Sequence, residues 1–367
     1  MILVTGATGF IGRAIVARLL GHGRRVVVLA RRRDGVGARA RVTAAQGDAS
    51  DAERLDVIEA DLTAPGAGIA RGDLGRLRGR VETVVHCAGD TSFAPRALAP
   101  FVAGHVDGPV ALLRALAPGG LARWAHVSTA FVCGDRSGTV LECEGDVGQG
   151  FHNVYEHVKL EAETALRAAG RATGVDVRVL RPSIVVGAAP ATAGGDPSNL
   201  FFAFIRLLAA LAQWSRAGLR LRIEAAPDAA FNIVSLDYVA AAVLALAEDP
   251  GAAGGTFHLV VPDAPSQAAM LAMLVERLGP RGLTLLDAAT MPLDDPSPLE
   301  RRVARMLGPY RAYLTQHVRF DDTGAAALLA ARGIVRPTLD SAQVHRLVDL
   351  ALLGAAPAAV AASGVAP

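Results

Sequence analysis

The stretch "ILVTGATGFIGRAIVARLLGHG", residues 2–23, decides the fold. "ILVT" (2–5) is a short apolar run of the kind that forms a buried strand. "FIGRAIVARLLGHG" (10–23) carries apolar residues at helical spacing and runs out in glycine. Gly6, Gly9 and Gly12 lie between and just inside these segments, spaced G-x-x-G-x-x-G. Gly6 permits a tight turn, Gly9 lets backbone approach an anion, and Gly12 lets the helix pack closely on the strand. The helix N-terminus attracts that anion. Strand, glycine loop and helix in this order read as the phosphate-holding unit of a dinucleotide site, with Thr8, Phe10 and Ile11 completing the loop.

Working outward, the alternation continues. Strands are expected at 24–30, 55–62, 82–89, 124–129 and 175–187, and helices over about 96–117 and 154–172. This rhythm predicts an α/β protein, a Rossmann-type doubly wound parallel sheet with a smaller C-terminal substrate-binding lobe. After residue 187 the rhythm changes. A loop (188–198) leads to an apolar helix (199–214). A strand (231–235), a helix (236–249) and a strand (256–261) then return to the main body. The expected division is 1–187 plus 231–261 for dinucleotide binding, and 188–230 plus 262–353 for the substrate. The alanine-rich tail 354–367 is expected to be disordered.

Bulk properties narrow the function. The 367 residues carry 37 basic and 35 acidic side chains, a net charge of +2, which argues against a nucleic-acid footprint. Three cysteines without a C-x-x-C pair predict neither a disulfide framework nor a zinc site, and no metal is expected. The chain enters its first strand without a basic leader, so a cytoplasmic protein is expected. "NLFFAFIRLLAALAQW" (199–214) contains Arg206 and is too short to span a bilayer, so no transmembrane segment is expected.

The end of the second strand reads "LARRRD" (29–34). An NAD site usually has an acid there, to bond the ribose hydroxyls. Arg31 and Arg32 instead suit a 2′-phosphate, so NADPH is expected over NADH. Asp61 and Leu62 after the third strand are placed near the adenine, and Cys87, Ala88 and Gly89 after the fourth lie along the dinucleotide.

The chemistry is expected from "NVYEHVKLEA" (153–162), which holds the only lysine in the chain. Every other basic residue among the 37 is an arginine, so Lys159 is an exception to a strong bias. Tyr155 and Lys159 are four apart and share a helix face. An ammonium there is expected to lower the phenol pKa and to reach a nicotinamide ribose, a task for a compact charge and not a guanidinium fork. Ser128 and Thr129 end the fifth strand, where a hydroxyl can donate to a carbonyl oxygen that is gaining charge.

Together "TGATGFIG", "HVSTAFVCG" and "YEHVK" resemble the extended short-chain dehydrogenase/reductase superfamily. "HCAGDTSF", "GTVLE", "RPSIVVG" and "FNIVSLDYVA" are similar to its thioester reductase and fatty acyl-CoA reductase branch, over roughly residues 1–250. The resemblance implies Thr129 as the catalytic hydroxyl, Tyr155 as proton donor, Lys159 as its partner, and Pro182 and Ser183 in the loop bracketing the nicotinamide. It departs at His105, which stands where the family usually has Asn. The implied function is NADPH-dependent reduction of an acyl thioester, on acyl-CoA or an acyl carrier protein, to aldehyde or alcohol, by a monomer or homodimer. The alternatives are a ketone or aldehyde reductase, a hydroxy dehydrogenase or a sugar-nucleotide epimerase of the same superfamily. A non-catalytic NADP-binding regulator ranks last, since Tyr155 and Lys159 are both present.

Overall fold

The computed structural model describes residues 1–47, 53–188, 200–214, 220–280 and 282–353. Most of the loop expected at 188–198 and the whole tail 354–367 lie outside the described residues. Seven parallel strands form the central sheet: β1 (Ile2–Thr5), β2 (Val26–Ala30), β3 (Leu55–Glu59), β4 (Thr83–His86), β5 (Arg123–Val127), β6 (Asp176–Pro182) and β7 (Thr256–Leu259). Across the sheet they run β7-β6-β5-β4-β1-β2-β3. The strand order therefore reverses between β1 and β4, and the crevice above their C-terminal ends is where such sheets bind ligands.

The apolar runs are continuous because the sheet is covered on both faces. Ile2 and Val4 of β1 enter one core cluster and Leu3 enters the other. Val26, Val28 and Val27, Leu29 divide in the same way on β2. Helices Phe10–Gly21 and Leu236–Glu248 pack together on the first face. Gly108–Leu116 and Val154–Thr173 pack together on the second.

Strand ends are shorter than the sequence suggests. β3 stops at Glu59 and β4 at His86, because Asp61 and Ala88 turn out of the sheet into hydrogen-bonded loops. Helices Ala38–Gln46 and Arg71–Leu77, absent from the sequence reading, complete the second and third crossovers. The single helix expected over 96–117 is Leu98–Val102 and Gly108–Leu116 joined by a π-helical turn, Ala103–Asp107, with His105 at its centre.

Beyond the sheet, helices Leu200–Trp214, Gln267–Leu278 and Ser341–Leu353 pack on one another. Strands Leu221–Ala225 and Leu283–Asp287 pair in parallel beside helix Pro298–Leu307. There Glu300, almost fully buried, closes a capping box with Ser297 and accepts from Arg222 Nε at 2.8 Å, which holds its carboxyl down at about 2. Strand Val318–Phe320 pairs with Gly138–Val140. No helix among the described residues is long and apolar enough to cross a membrane.

Candidate active site

The glycine loop is a backbone cradle. Gly6 adopts φ +74°, and a Cβ on it would lie 2.6 Å from Ala88 N and from Cys87 C. A Cβ on Gly12 would lie 2.3 Å from Gly6 O. Both positions therefore exclude any side chain. Gly9 N donates to Gly6 O at 2.8 Å, and Gly9 begins helix Phe10–Gly21 without a side-chain cap. The first-turn N–H groups thus face the crevice, a fit for a pyrophosphate. Ala88 N donates to Thr5 Oγ1 at 3.2 Å, which ties the end of β4 to the loop. Burial pushes the Cys87 thiol up to about 12, so it stays protonated and is no nucleophile. Asp61 Oδ1 accepts from Thr63 N and Oγ1, and the Leu62 carbonyl sits 2.0 Å from where a Cβ on Gly108 would be.

The two arginines after β2 differ. Arg32 Nε donates to Glu59 Oε1 at 3.3 Å, and Glu59 also accepts from Ala38 N at 3.2 Å. The Ala38 N–H first, then Arg32, hold that carboxyl below its usual range. Arg31 is exposed, and its carbonyl accepts from Arg41 Nη1 at 2.6 Å. Arg41 Nη2 in turn reaches Thr8 Oγ1 at 3.4 Å. Arg41 was not singled out from the sequence, because the helix that carries it was not recognised.

The catalytic helix, Val154–Thr173, is started by Asn153, whose side chain accepts from Glu156 N at 3.0 Å. Lys159 is 4% exposed. Its Nζ donates to Val127 O at 2.7 Å and to His126 Nε2 at 3.3 Å, which clamps the helix to the end of β5, two residues before Thr129. Burial pulls the ammonium from its ordinary 10.5 down to about 8, against the opposing charge of Glu163. Thr129 is buried, and its Oγ1 accepts from Phe131 N at 3.3 Å, leaving the hydroxyl proton free to donate.

Ser128 is placed differently. Its hydroxyl donates to Glu163 Oε1 at 2.5 Å, and Glu163 forms a buried two-pronged pair with Arg181, at 3.0 and 2.6 Å. Ser128 is thus engaged beneath the strand end, while Thr129 beside it keeps its proton.

The Tyr155 hydroxyl has no hydrogen-bond partner among the described residues, and its half-buried ring meets Phe93 and His105, each at 6.2 Å. The expected lowering of the phenol pKa is not found. Burial, and then the neighbouring Glu156 carboxylate, push it up, because Lys159 is turned toward His126 and Val127. Glu156 is itself fully buried and accepts from Tyr313 Oη, which brings helix Arg311–Thr315 onto the start of the catalytic helix.

His105 Nδ1 donates to Phe101 O at 2.8 Å, and its buried Nε2, 2.9 Å from where a Cβ on Gly89 would be, has no partner among the described residues. Ser183 Oγ, also buried, likewise lacks a partner among the described residues. Both orphans are fit to bond a ligand in the crevice. Among the described residues no group of three His, Cys, Asp or Glu is placed to hold a metal ion.

A doubly wound sheet with this loop and a tyrosine–lysine pair one helical turn apart fits an NAD(P)-binding protein of the extended short-chain dehydrogenase/reductase type. The model of the family described as "Male sterility protein" (NAD_binding_4) matches residues 4–243, and the chain belongs to that family. The NRPS-like oxidoreductase fscA of Fusarium equiseti is 28% identical over 228 residues, covering 60% of this chain and 21% of its own length. The chain thus spans about a fifth of that relative. The terminal R domain from the myxalamid PKS-NRPS biosynthetic pathway superposes with a TM-score of 0.75 at 22% identity, over 95% of this chain and 89% of that one. A thiolation-reductase di-domain from an archaeal non-ribosomal peptide synthetase gives 0.71 at 18% identity, over 95% and 74%. At these identities the two structures show the fold.

Proposed function

We propose that the chain reduces an acyl thioester of a phosphopantetheine arm, carried on acyl-CoA or a carrier protein, with NADPH as cofactor. The observation that carries this is the clamp of Lys159, on the helix of Tyr155, to Val127 at the end of β5, two residues before Thr129 with its free proton. The resemblance to the thioester reductase branch supports the substrate class, and the likeness to a thiolation-reductase di-domain supports a carrier-bound form.

Gly6, Gly9 and Gly12 would hold the pyrophosphate, Arg31 and Arg41 the 2′-phosphate, and Lys159 the nicotinamide ribose. NADPH supplies the hydride. Thr129 donates a hydrogen bond to the thioester carbonyl oxygen and stabilises it as charge develops there. Tyr155 gives that oxygen its proton, as a phenol whose raised pKa keeps it protonated at neutral pH. The resulting hemithioacetal breaks its C–S bond and releases aldehyde and thiol. Segments 188–230 and 262–353 would cover the acyl group.

A panel of acyl-pantetheine thioesters, ketones and a nucleotide sugar tests the substrate class. Turnover confined to ketones would move the chain to another reductase of the superfamily. For the cofactor, Arg41→Met is expected to raise the NADPH KM about 10–100-fold, the loss of a charge-assisted contact, and to leave the NADH KM unchanged. Equal effects on both cofactors would remove Arg41 from the 2′-phosphate.

The Lys159 ammonium is fully present below its folded pKa and is lost as pH rises through it. With that pKa at about 8, kcat/KM is expected to be level below it and to fall about tenfold per pH unit above. A profile that stays level well into the alkaline range would show that the charge on Lys159 is not required.

A further inference from the structure

We propose that His126 is a positioning residue for the catalytic lysine: the lone pair on its Nε2, together with the Val127 carbonyl, holds two of the three Lys159 ammonium protons and leaves the third for the active site. The proposal rests on the role given to Lys159 above, but not on the identity of the substrate.

The geometry leaves little choice of roles. The Lys159 ammonium can only donate, so the 3.3 Å contact makes His126 Nε2 the acceptor and puts its proton on Nδ1, which is buried with no partner among the described residues. His126 is 1% exposed, so water does not compete for that lone pair. Its ring is stacked on His86, its register partner across β4 and β5, with centroids 5.4 Å apart and planes 14° from parallel. His86 Nδ1 is hydrogen-bonded to Thr5 Oγ1 at 2.8 Å, at the threshold of the glycine loop. The imidazole facing Lys159 is therefore held from behind by a ring anchored to the cofactor cradle.

Charge keeps the arrangement in this state. Burial first, and then the Lys159 ammonium, push the His126 imidazole well below its ordinary range, so it remains neutral and able to accept. The other groups around Lys159 act in both directions. On its own helix Tyr155 precedes it and Glu163, paired with Arg181 of β6, follows it. Cys87 and His86 face it from β4 and its exit, and His105 from the π-helical turn. Glu163 and Cys87 favour the ammonium, and burial outweighs both. His126 Nε2 and the Val127 carbonyl bond the ammonium more strongly than the neutral amine, and so act in the same direction as Glu163 and Cys87.

The chain contains one lysine, so the test is direct. Full-length protein grown with [ε-13C]lysine gives a single side-chain resonance, whose shift against pH titrates Lys159 without substrate or cofactor. His126→Leu is expected to lower the midpoint by about one pH unit or more, since the ammonium loses a charge-assisted bond stronger than any the neutral amine makes. His126→Gln, whose amide oxygen can take the place of Nε2, is expected to restore most of it, and the alkaline limb of kcat/KM should shift in the same order. If His126→Leu does not fold, His126→Asn serves: its amide is too short to reach Nζ, and the midpoint should fall as well. A folded His126→Leu or His126→Asn with the wild-type midpoint would overturn the assignment. Absence of thioester turnover with the lysine shift intact would sink the substrate reading and leave this one standing.

Discussion

Replacing Tyr155 by Phe is expected to leave the fold intact and to lower kcat by about 10²–10⁴-fold, the usual worth of a positioned general acid. The Tyr155 hydroxyl has no partner among the described residues, so removing it breaks no bond of the fold. The ring contacts with Phe93 and His105 survive the change, and the melting temperature should move by no more than a few degrees. What disappears is the proton delivered to the reduced carbonyl oxygen. Thr129→Val removes the neighbouring donor and is expected to cost kcat in the same sense, with the Tyr155 proton still available. Steady-state kinetics beside a thermal melt separate the two effects. A Tyr155→Phe enzyme at half the wild-type rate would put the proton donor elsewhere.

The second large effect is on stability. Arg181→Met leaves the Glu163 carboxylate 3% exposed and without its guanidinium. Removing one partner of a buried ion pair costs about 3–5 kcal/mol, because the remaining charge is neither solvated nor paired. Here the loss also loosens Ser128, which donates to Glu163 at 2.5 Å, and with it the strand end that carries Thr129. Urea unfolding of the single variant should show that fall. Replacing both partners with methionine should recover much of it, since an apolar pair of similar volume leaves no buried charge. A single variant within about 1 kcal/mol of wild type would mean that the pair is solvated in solution.

The fold was legible wherever local pattern and tertiary position agree. "ILVT" is β1 to the residue, and the helix read at 154–172 is Val154–Thr173, because its apolar spacing and its Gly174 exit both mark it. The helices at 38–46 and 71–77 were not legible. "ARARVTAAQ" is arginine-rich and "RGDLGRL" holds two glycines, so neither shows a clear apolar face. The π-helical turn at His105 leaves no trace in a helical period that continues on either side of it.

Within the site, spacing pointed to the glycine loop and the Tyr155–Lys159 pair, and the family resemblance singled out Thr129 from Ser128 beside it. Ser128 could not be assigned its partner, because Glu163 lies 35 residues away and only the packing of the catalytic helix on β5 brings them together. For the same reason His126 looked like one more strand residue, and the lysine was expected to face the tyrosine and the nicotinamide ribose.

The most direct measurement mixes the protein with NADPH and an acyl-pantetheine thioester and follows free thiol, aldehyde and NADPH oxidation together. The account predicts that thiol appears only with NADPH, in step with its oxidation, and that aldehyde is captured in equal amount when a carbonyl trap is present. Thiol released without NADPH, or NADPH oxidised with no thiol released, would contradict it.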